Sequence, residues 1–308
     1  MTTLTNMIDE VTMNLSGYTL QQDRATYITA AVTTTTSPSS GPTILTLASA
    51  DNLGKGVIEI DEELLWIDNF DRVGNTATIA PYGRGYLGTT AATHAADAKV
   101  TISPTFPRFA IKRAINDTIS AIGSSIFAAN TTTITSNAAV AAFRLPTTGA
   151  TLNIRSILAV AYQALGASKE WIPIRTYRFD GNANSTAFTS GQTISIYDKI
   201  PSGRTIQVVY STDPVPFTTN ADVFTTQTGL PESCKDLVIL GSTYRLLSNL
   251  DPARASMISP QADEVDAKRP YGSSQSITKQ IYALFNQRLK EEIKNQQDKY
   301  PIRIHYSL

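Results

Sequence analysis

The chain has 308 residues with 26 basic and 26 acidic side chains, so its formal charge is zero and it lacks the strong positive field of a nucleic-acid binder. One cysteine, Cys234, excludes an internal disulfide framework and any CxxC or Cys/His metal spacing. No apolar run of the roughly 18 residues that a membrane helix needs is present, and Met1-Thr-Thr-Leu-Thr-Asn6 is no signal peptide, so a soluble chain of about two domains is expected.

Leu4, Ile8, Val11 and Leu15 recur at helical spacing, which predicts an amphipathic helix over 3–16, ended by Gly17. Residues 33–42, rich in Thr, Ser and Pro, read as a linker. Five short β runs follow: Thr43–Leu47, Val57–Ile60, Leu64–Ile67, Ala77–Ile79 and Lys99–Ile102, with Asp61-Glu62 and Gly74-Asn75 as hairpin turns. Five short strands with a glycine-rich connection suggest a small barrel or sandwich. Pro104 to Pro107 breaks that sheet, and Ile111, Ile115, Ile119 and Ile122 predict a second helix over about 107–128.

The next β block holds Ile154–Leu165, Trp171–Phe179, Thr193–Tyr197 and Thr205–Tyr210, with turns at Asp180-Gly-Asn182 and Pro201-Ser-Gly203. The alanines and leucines of 156–165 suit a helix by propensity, but Gly166 and the β-branched runs beyond favour a strand in a meander. Gly229-Leu-Pro-Glu232 starts a third helix with Leu237, Leu240, Tyr244 and Leu247 as its stripe, stopped by Asp251-Pro252. Cys234 reads as a half-buried thiol on that helix. Arg254–Ala262 is a candidate short helix and Pro270 to Gly272 a turn. The last helix runs from about Ser274 to Lys299, with Ile277, Ile281, Leu284/Phe285, Leu289 and Ile293 on one face and Arg288 paired with Glu292 on another. Pro301 ends it.

The segment Pro81-Tyr-Gly-Arg-Gly-Tyr-Leu-Gly-Thr-Thr-Ala-Ala-Thr-His-Ala-Ala-Asp-Ala-Lys-Val100 is the most closely specified in the chain. Gly83, Arg84, Gly85 and Gly88 match the spacing of a dinucleotide fingerprint, but threonines and alanines follow instead of a helix, so that chemistry is excluded. Together with Ile60-Asp61-Glu62-Glu63, the residues Arg84, Gly85, Gly88, Thr89, His94 and Val100 resemble a small β-module recurrent in virion proteins of tailed bacteriophages. The resemblance covers about 42–103. Asp97 departs from it, standing where such modules often carry glycine.

A second resemblance lies in Phe106 to Ile119, Asp236 to Leu247 and the close of the chain at Tyr300-Pro-Ile-Arg-Ile304, which look like the head-to-tail adaptor (neck, connector) proteins of tailed phages. The helical stripes and β blocks read above make an α+β fold, a helical bundle of about four helices interrupted by two β-rich insertions, and that interleaving is itself part of the resemblance. The expected division is 1–41 plus 104–130 plus 229–308 as the helical core with an extended C-terminal tail, 42–103 as a barrel-like insertion and 131–228 as a sandwich-like insertion. The resemblance implies a virion protein at the head–tail junction, synthesised in the host cytoplasm. Its partners would be the portal protein, other neck or tail proteins and itself in a ring of twelve, with packaged DNA passing non-specifically through the channel. No membrane and no cofactor are expected. The alternative is a tail-tip, baseplate or fibre-attachment protein whose β-module binds host glycan.

No catalytic, cofactor or metal residues emerge. Asp61, Glu62 and Glu63 lack the alternating ligands of a calcium loop and read as a solvated hairpin turn. His94 has no nucleophile or second histidine beside it and reads as a hydrogen bonder that orders its loop, and Arg84 as bonded to backbone carbonyls or a carboxylate such as Asp61. Trp66, Tyr82 and Tyr86 are candidates for stacking on a sugar ring, with half-exposed barrel aromatics as the plainer reading. Lys279, Arg288, Lys290, Lys294 and Lys299 alternate with acids and read as a solvated helix face. In the tail, Ile302, Ile304 and Tyr306 alternate with Arg303 and His305, a pattern that suits docking in a groove or adding a strand to a neighbour, which the adaptor resemblance makes the portal, with folding back on its own subunit as the alternative.

Overall fold

The computed structural model describes residues 1–19, 23–35, 43–146, 153–166, 169–248 and 273–301. The chain divides into two compact units. One comprises the described residues of Met1–Leu4, Asn116–Val238 and Ala283–Leu308, the other those of Thr5–Ile115 and Ile239–Tyr282.

Helix α1, Leu4–Thr19, buries Leu4, Met7, Ile8, Val11 and Leu15, a three-and-four spacing that puts all five on one face. The strands β1 (Arg24–Tyr27), β2 (Thr43–Thr46), β3 (Gly56–Ile60), β4 (Glu63–Asp71), β5 (Thr76–Ile79) and β6 (Lys99–Ile102) form an antiparallel sheet in the order β1-β6-β3-β4-β5-β2. Its two edges meet at the Ile28–Leu47 bridge, where Thr29 N–H bonds the Thr46 carbonyl and Ala48 N–H the Tyr27 carbonyl, so the sheet curls towards a barrel. Period-two pairs face its interior: Ile58 and Ile60, Leu65 and Ile67, Ala77 and Ile79, Val100 and Ile102, joined by Ile28, Leu45, Leu47 and Leu53. Burying each large aliphatic among them stabilises the fold by roughly 1.5–3 kcal/mol.

Helix α2, Arg108–Ile122, buries Ile111, Ala114, Ile115, Ile119 and Ile122. It stops where its stripe ends, short of the expected boundary near 128, because Gly123-Ser-Ser125 are poor helix formers, and β7 begins at Ala128. Two sheets then share one core. The first, in the order β10-β9-β13-β7, is built of β7 (Ala128–Thr135), β9 (Ile154–Gln163), β10 (Trp171–Pro173) and β13 (Thr205–Thr212). The second, β11-β12-β8, contains β8 (Ala142–Leu145), β11 (Tyr177–Asp180) and β12 (Gln192–Ile196). Leu145, Ile154, Val160, Ile174, Ile194, Ile206, Val208 and Tyr210 from both sheets pack together. The run 154–163 is a strand despite its alanines, because β13 and β10 flank it on both sides. Tertiary pairing overrides propensity there.

A short helix α3 (Phe224–Thr228) ends at Gly229, whose φ of 70° is left-handed. Pro231 introduces a turn of 3₁₀ helix, Glu232–Cys234, that runs into α4 (Lys235–Ser248). Helix α5, Ser273–Lys299, buries Ile281 and Phe285, and Ile277, Leu289 and Ile293 are half-buried. Glu292 lies on the buried side of α5, not on a separate polar face. There it accepts bonds from Ser233 Oγ (3.0 Å), Cys234 Sγ (3.8 Å) and Arg288 (3.2 Å). Cys234 is thus fully buried, and burial pushes its thiol up to about 12. The expected helix at Arg254–Ala262, the turn at Pro270–Gly272 and the tail residues Ile302, Arg303, Ile304, His305 and Tyr306 lie outside the described residues.

The expected fold class, a helical bundle of about four helices with two β-insertions, is overturned. The described residues hold about as much strand as helix, with thirteen strands in three sheets beside five α-helices, and do not form a four-helix bundle with insertions. The helix stripes are buried as their spacing requires, but the sheets own two extensive cores of their own. Strands also arise where none was read. β1 follows α1 and completes the barrel-like sheet against β6, and the threonine-rich β7 pairs along its whole length with β13.

Candidate functional site

The closely specified segment converges on one buried carboxylate. Asp61 and Glu62 form a two-residue turn between β3 and β4, with Asp61 at φ 56°, and the register Ile60↔Glu63 turns the Glu63 side chain inward. Glu63 is 1 % exposed, so the solvated-turn reading fails for it. Arg84 grips it with two parallel bonds, Nε to Oε1 at 2.6 Å and Nη2 to Oε2 at 2.8 Å. The remaining lone pairs accept the amides of Gly85 and Ala92, each at 2.9 Å, and His94 Nε2, also at 2.9 Å. Arg84 also donates to the carbonyls of Thr34 (2.8 Å) and Ala92 (2.5 Å). Arg84 thus meets both kinds of partner expected of it, backbone carbonyls and a carboxylate, but the carboxylate is Glu63 and not Asp61. Asp61 bonds His94 Nδ1 instead, at 2.7 Å.

Backbone geometry explains the glycines. Gly85 has φ 62°, and a Cβ there would lie 2.7 Å from the Thr89 carbonyl oxygen. Gly88 has φ 83°. Thr89 Oγ1 accepts Leu64 N–H (3.1 Å) and donates to the Tyr86 carbonyl (3.0 Å), tying the loop to β4. Asp97 stands in the left-handed region at φ 66°, a conformation aspartate tolerates better than most residues. Tyr82 and Leu87 also have positive φ, 59° and 55°, and each such residue costs of order 1–3 kcal/mol. The bonds radiating from Glu63 offset that strain.

Electrostatics make the cluster a lock. Burial alone would raise the Glu63 pKa, but Arg84, His94 and the two amides overcome it and hold the carboxyl at about 2. Burial disfavours the charged His94 ring, yet the bonds to Glu63 and Asp61 outweigh it and raise its pKa. Both ring nitrogens face carboxylate oxygens, which only accept, so both must donate and the ring is an imidazolium with no lone pair for general-base work. Glu63, saturated by donors, has none to offer a cation. Replacing His94 by Gln is expected to destabilise the barrel-like sheet by about 1–3 kcal/mol, because the charged donor that bridges Glu63 and Asp61 is lost. The raised pKa makes the imidazolium contribution full below the ordinary value near 6.5 and lost as pH rises through the folded-state value. Urea unfolding should accordingly show a larger effect of His94→Gln at pH 5 than at pH 9.

Sequence reading missed Glu63 as the hub and Glu59 altogether. Glu59, on β3 and 4 % exposed, accepts the backbone N–H of Arg108, the first residue of α2, at 2.5 Å. A charged residue flanked by isoleucines in a strand was the available signal. Trp66 packs a tilted ring on Tyr86 at 5.2 Å and is 37 % exposed, and Tyr82 is 70 % exposed. Lys290, Lys294 and Lys299 are exposed, and Arg288 is engaged by Glu291 and Glu292.

No helix among the described residues is long and apolar enough to cross a membrane. Among curated proteins, no match to the chain was found. The model of the SU10 adaptor protein family matches residues 87–304, which takes in Gly88, Thr89 and His94, all of α2, the two sheets of the second core and helices α3 to α5. The match begins after Asp61, Glu63, Arg84 and Gly85, so it does not carry the resemblance to a recurrent β-module. With more than half of its 308 residues matched, the chain belongs to the SU10 adaptor protein family and is a structural adaptor protein of a phage virion.

Proposed function

We propose that this protein is the head-to-tail adaptor itself: copies close into a ring, twelve in number, between the portal and the tail, and packaged DNA passes through it. The family match over 87–304 carries this reading. Head-to-tail contacts between identical copies close when the rotation per copy divides a full turn. Zero net charge suits a conduit that threads DNA without gripping it, so the free protein should bind duplex weakly, without sequence preference and with steep salt dependence. No enzymatic role is assigned; the adaptor works by assembly, and the saturated Glu63–Arg84–His94 cluster serves rigidity.

Purified protein mixed with portal should yield rings in electron micrographs that sit coaxially on the portal. A protein that stays monomeric beside portal, while heads lacking it retain DNA and join tails, would defeat the proposal. A second reading places the chain at the tail tip or baseplate and rests on the exposed Trp66 and Tyr82, with Tyr86 half-buried against Trp66. Saturable binding to host surface polysaccharide, lost in Trp66→Ala, would favour that reading.

A further inference from the structure

The sheet β10-β9-β13-β7 ends in two unlike edges. β10 is three residues long and carries Pro173, which has no N–H, so that edge is blunted. β7 is eight residues long, Ala-Ala-Asn-Thr-Thr-Thr-Ile-Thr, with no proline, glycine or charge. A long flat edge of this kind is a template for a further strand.

Its register with β13 is unbroken from Ala128↔Thr212 to Thr135↔Thr205, so successive residues direct their N–H and C=O alternately towards β13 and away from it. Two sets of bonds fix the phase. Ser136 N–H bonds the Arg204 carbonyl and the Ser136 carbonyl accepts Gly203 N–H, so even-numbered residues face β13. Phe127 faces the other way. Its N–H donates to Gln296 Oε1 (3.1 Å) and its carbonyl accepts Gln296 Nε2 (2.6 Å). The Gln296 amide thus imitates one residue of an added strand. The next outward-facing groups, on Ala129, Thr131, Thr133 and Thr135, bond no described residue, and the three threonines are exposed.

The chain's own end starts beside this edge. The Tyr300 ring packs on Phe127 at 5.9 Å, one residue past the end of α5. Extended, residues 302–308 reach about 24 Å, and the edge from Ala129 to Thr135 is about 20 Å long. Ile302, Ile304 and Tyr306 alternate with Arg303 and His305, the period of a strand with one apolar side. We propose that residues 302–308 add to the β7 edge of their own subunit, running parallel to it and continuing the pairing that Gln296 begins. A tail tethered this close is present at millimolar effective concentration, which favours its own subunit over a neighbour. Seating in the portal is the competing outcome.

Amide hydrogen exchange on the full chain and on a chain ending at Pro301 tests this. The amides of Ala129, Thr131, Thr133 and Thr135 should exchange at least tenfold faster in the shortened chain, and those of Thr132 and Ile134, which face β13, should change less than twofold. Equal exchange in both chains overturns the proposal. So does protection that weakens on dilution, which marks a neighbour's tail, or protection that arises only when portal is added. Thr133→Pro in the full chain removes an outward donor without touching the β13 side, and should release protection at Thr131 and Thr135. Protection that persists there overturns the proposal as well. Neither failure bears on the ring, which the portal-mixing experiment tests separately.

Discussion

Replacing Glu63 by Ala is expected to destabilise the unit that holds the barrel-like sheet by about 3–5 kcal/mol, the range for removing one partner of a buried ion pair. The side chains of Glu63 and Arg84 are both fully buried, so solvent does not screen the loss. Arg84, His94 and the amides of Gly85 and Ala92 would all lose an acceptor in the same substitution. The lowered pKa gives a consistent magnitude: about 2 in the folded state against an ordinary 4.5 corresponds to about 3 kcal/mol. That contribution is present above pH 4.5 and is lost as pH falls towards 2. Glu63→Gln should be nearly as damaging, because an amide turns two donors towards groups that need acceptors. Arg84→Lys keeps charge but loses the fork and should fall between the two. The chain's two tryptophans, Trp66 and Trp171, fall one in each unit, so urea unfolding of a Trp171→Phe background reads the barrel-bearing unit alone. A loss below about 1 kcal/mol for Glu63→Ala would show that the cluster is not what holds the loop.

The helices were legible because each repeats a branched apolar residue every three or four positions: Leu4, Ile8, Val11 and Leu15 in α1, and Ile111, Ile115, Ile119 and Ile122 in α2. The strands with period-two pairs, such as Ile58 and Ile60, were legible for the same reason. β1 and β7 were not. Arg-Ala-Thr-Tyr buries only Thr26, and the threonines of β7 alternate between half-buried and exposed, so neither shows apolar periodicity. Their pairing is fixed by neighbours distant in sequence, Lys99–Ile102 for β1 and Thr205–Thr212 for β7. Weight given to the visible helices therefore produced a bundle where the chain builds sheets.

At the loop, the identities of Arg84, Gly85, Thr89 and His94 announced tight constraint, but the hub was hidden. Asp61, Glu62 and Glu63 look alike in sequence, and only the two-residue turn, with register Ile60↔Glu63, decides that the third points inward and the first bonds His94 from the rim. Family membership is carried mostly by other parts of the chain, since the match starts at residue 87, beyond strands β1 to β5, and takes in only the end of this loop and β6 from the barrel-like sheet.

Glu59→Gln is expected to stabilise the protein at pH 8, by up to about 3 kcal/mol, and to do nothing comparable at pH 4. Burial pushes the Glu59 carboxyl from 4.5 up to about 7, against the pull of the Arg108 amide and guanidinium. The sign is opposite to that of Glu63. A carboxyl whose folded-state pKa is raised binds more protons folded than unfolded between 4.5 and 7, so stability falls as pH climbs through that window and levels off above it. Gln keeps an oxygen for the Arg108 N–H that opens α2, yet carries no charge to desolvate. His94 and Glu63 titrate identically in both proteins, so the difference between variant and parent isolates Glu59. Urea midpoints measured from pH 4 to pH 8 should show that difference growing between pH 4.5 and 7. A difference that is flat across the window would mean that the helix N-terminus stabilises the ionised carboxylate enough to cancel its burial.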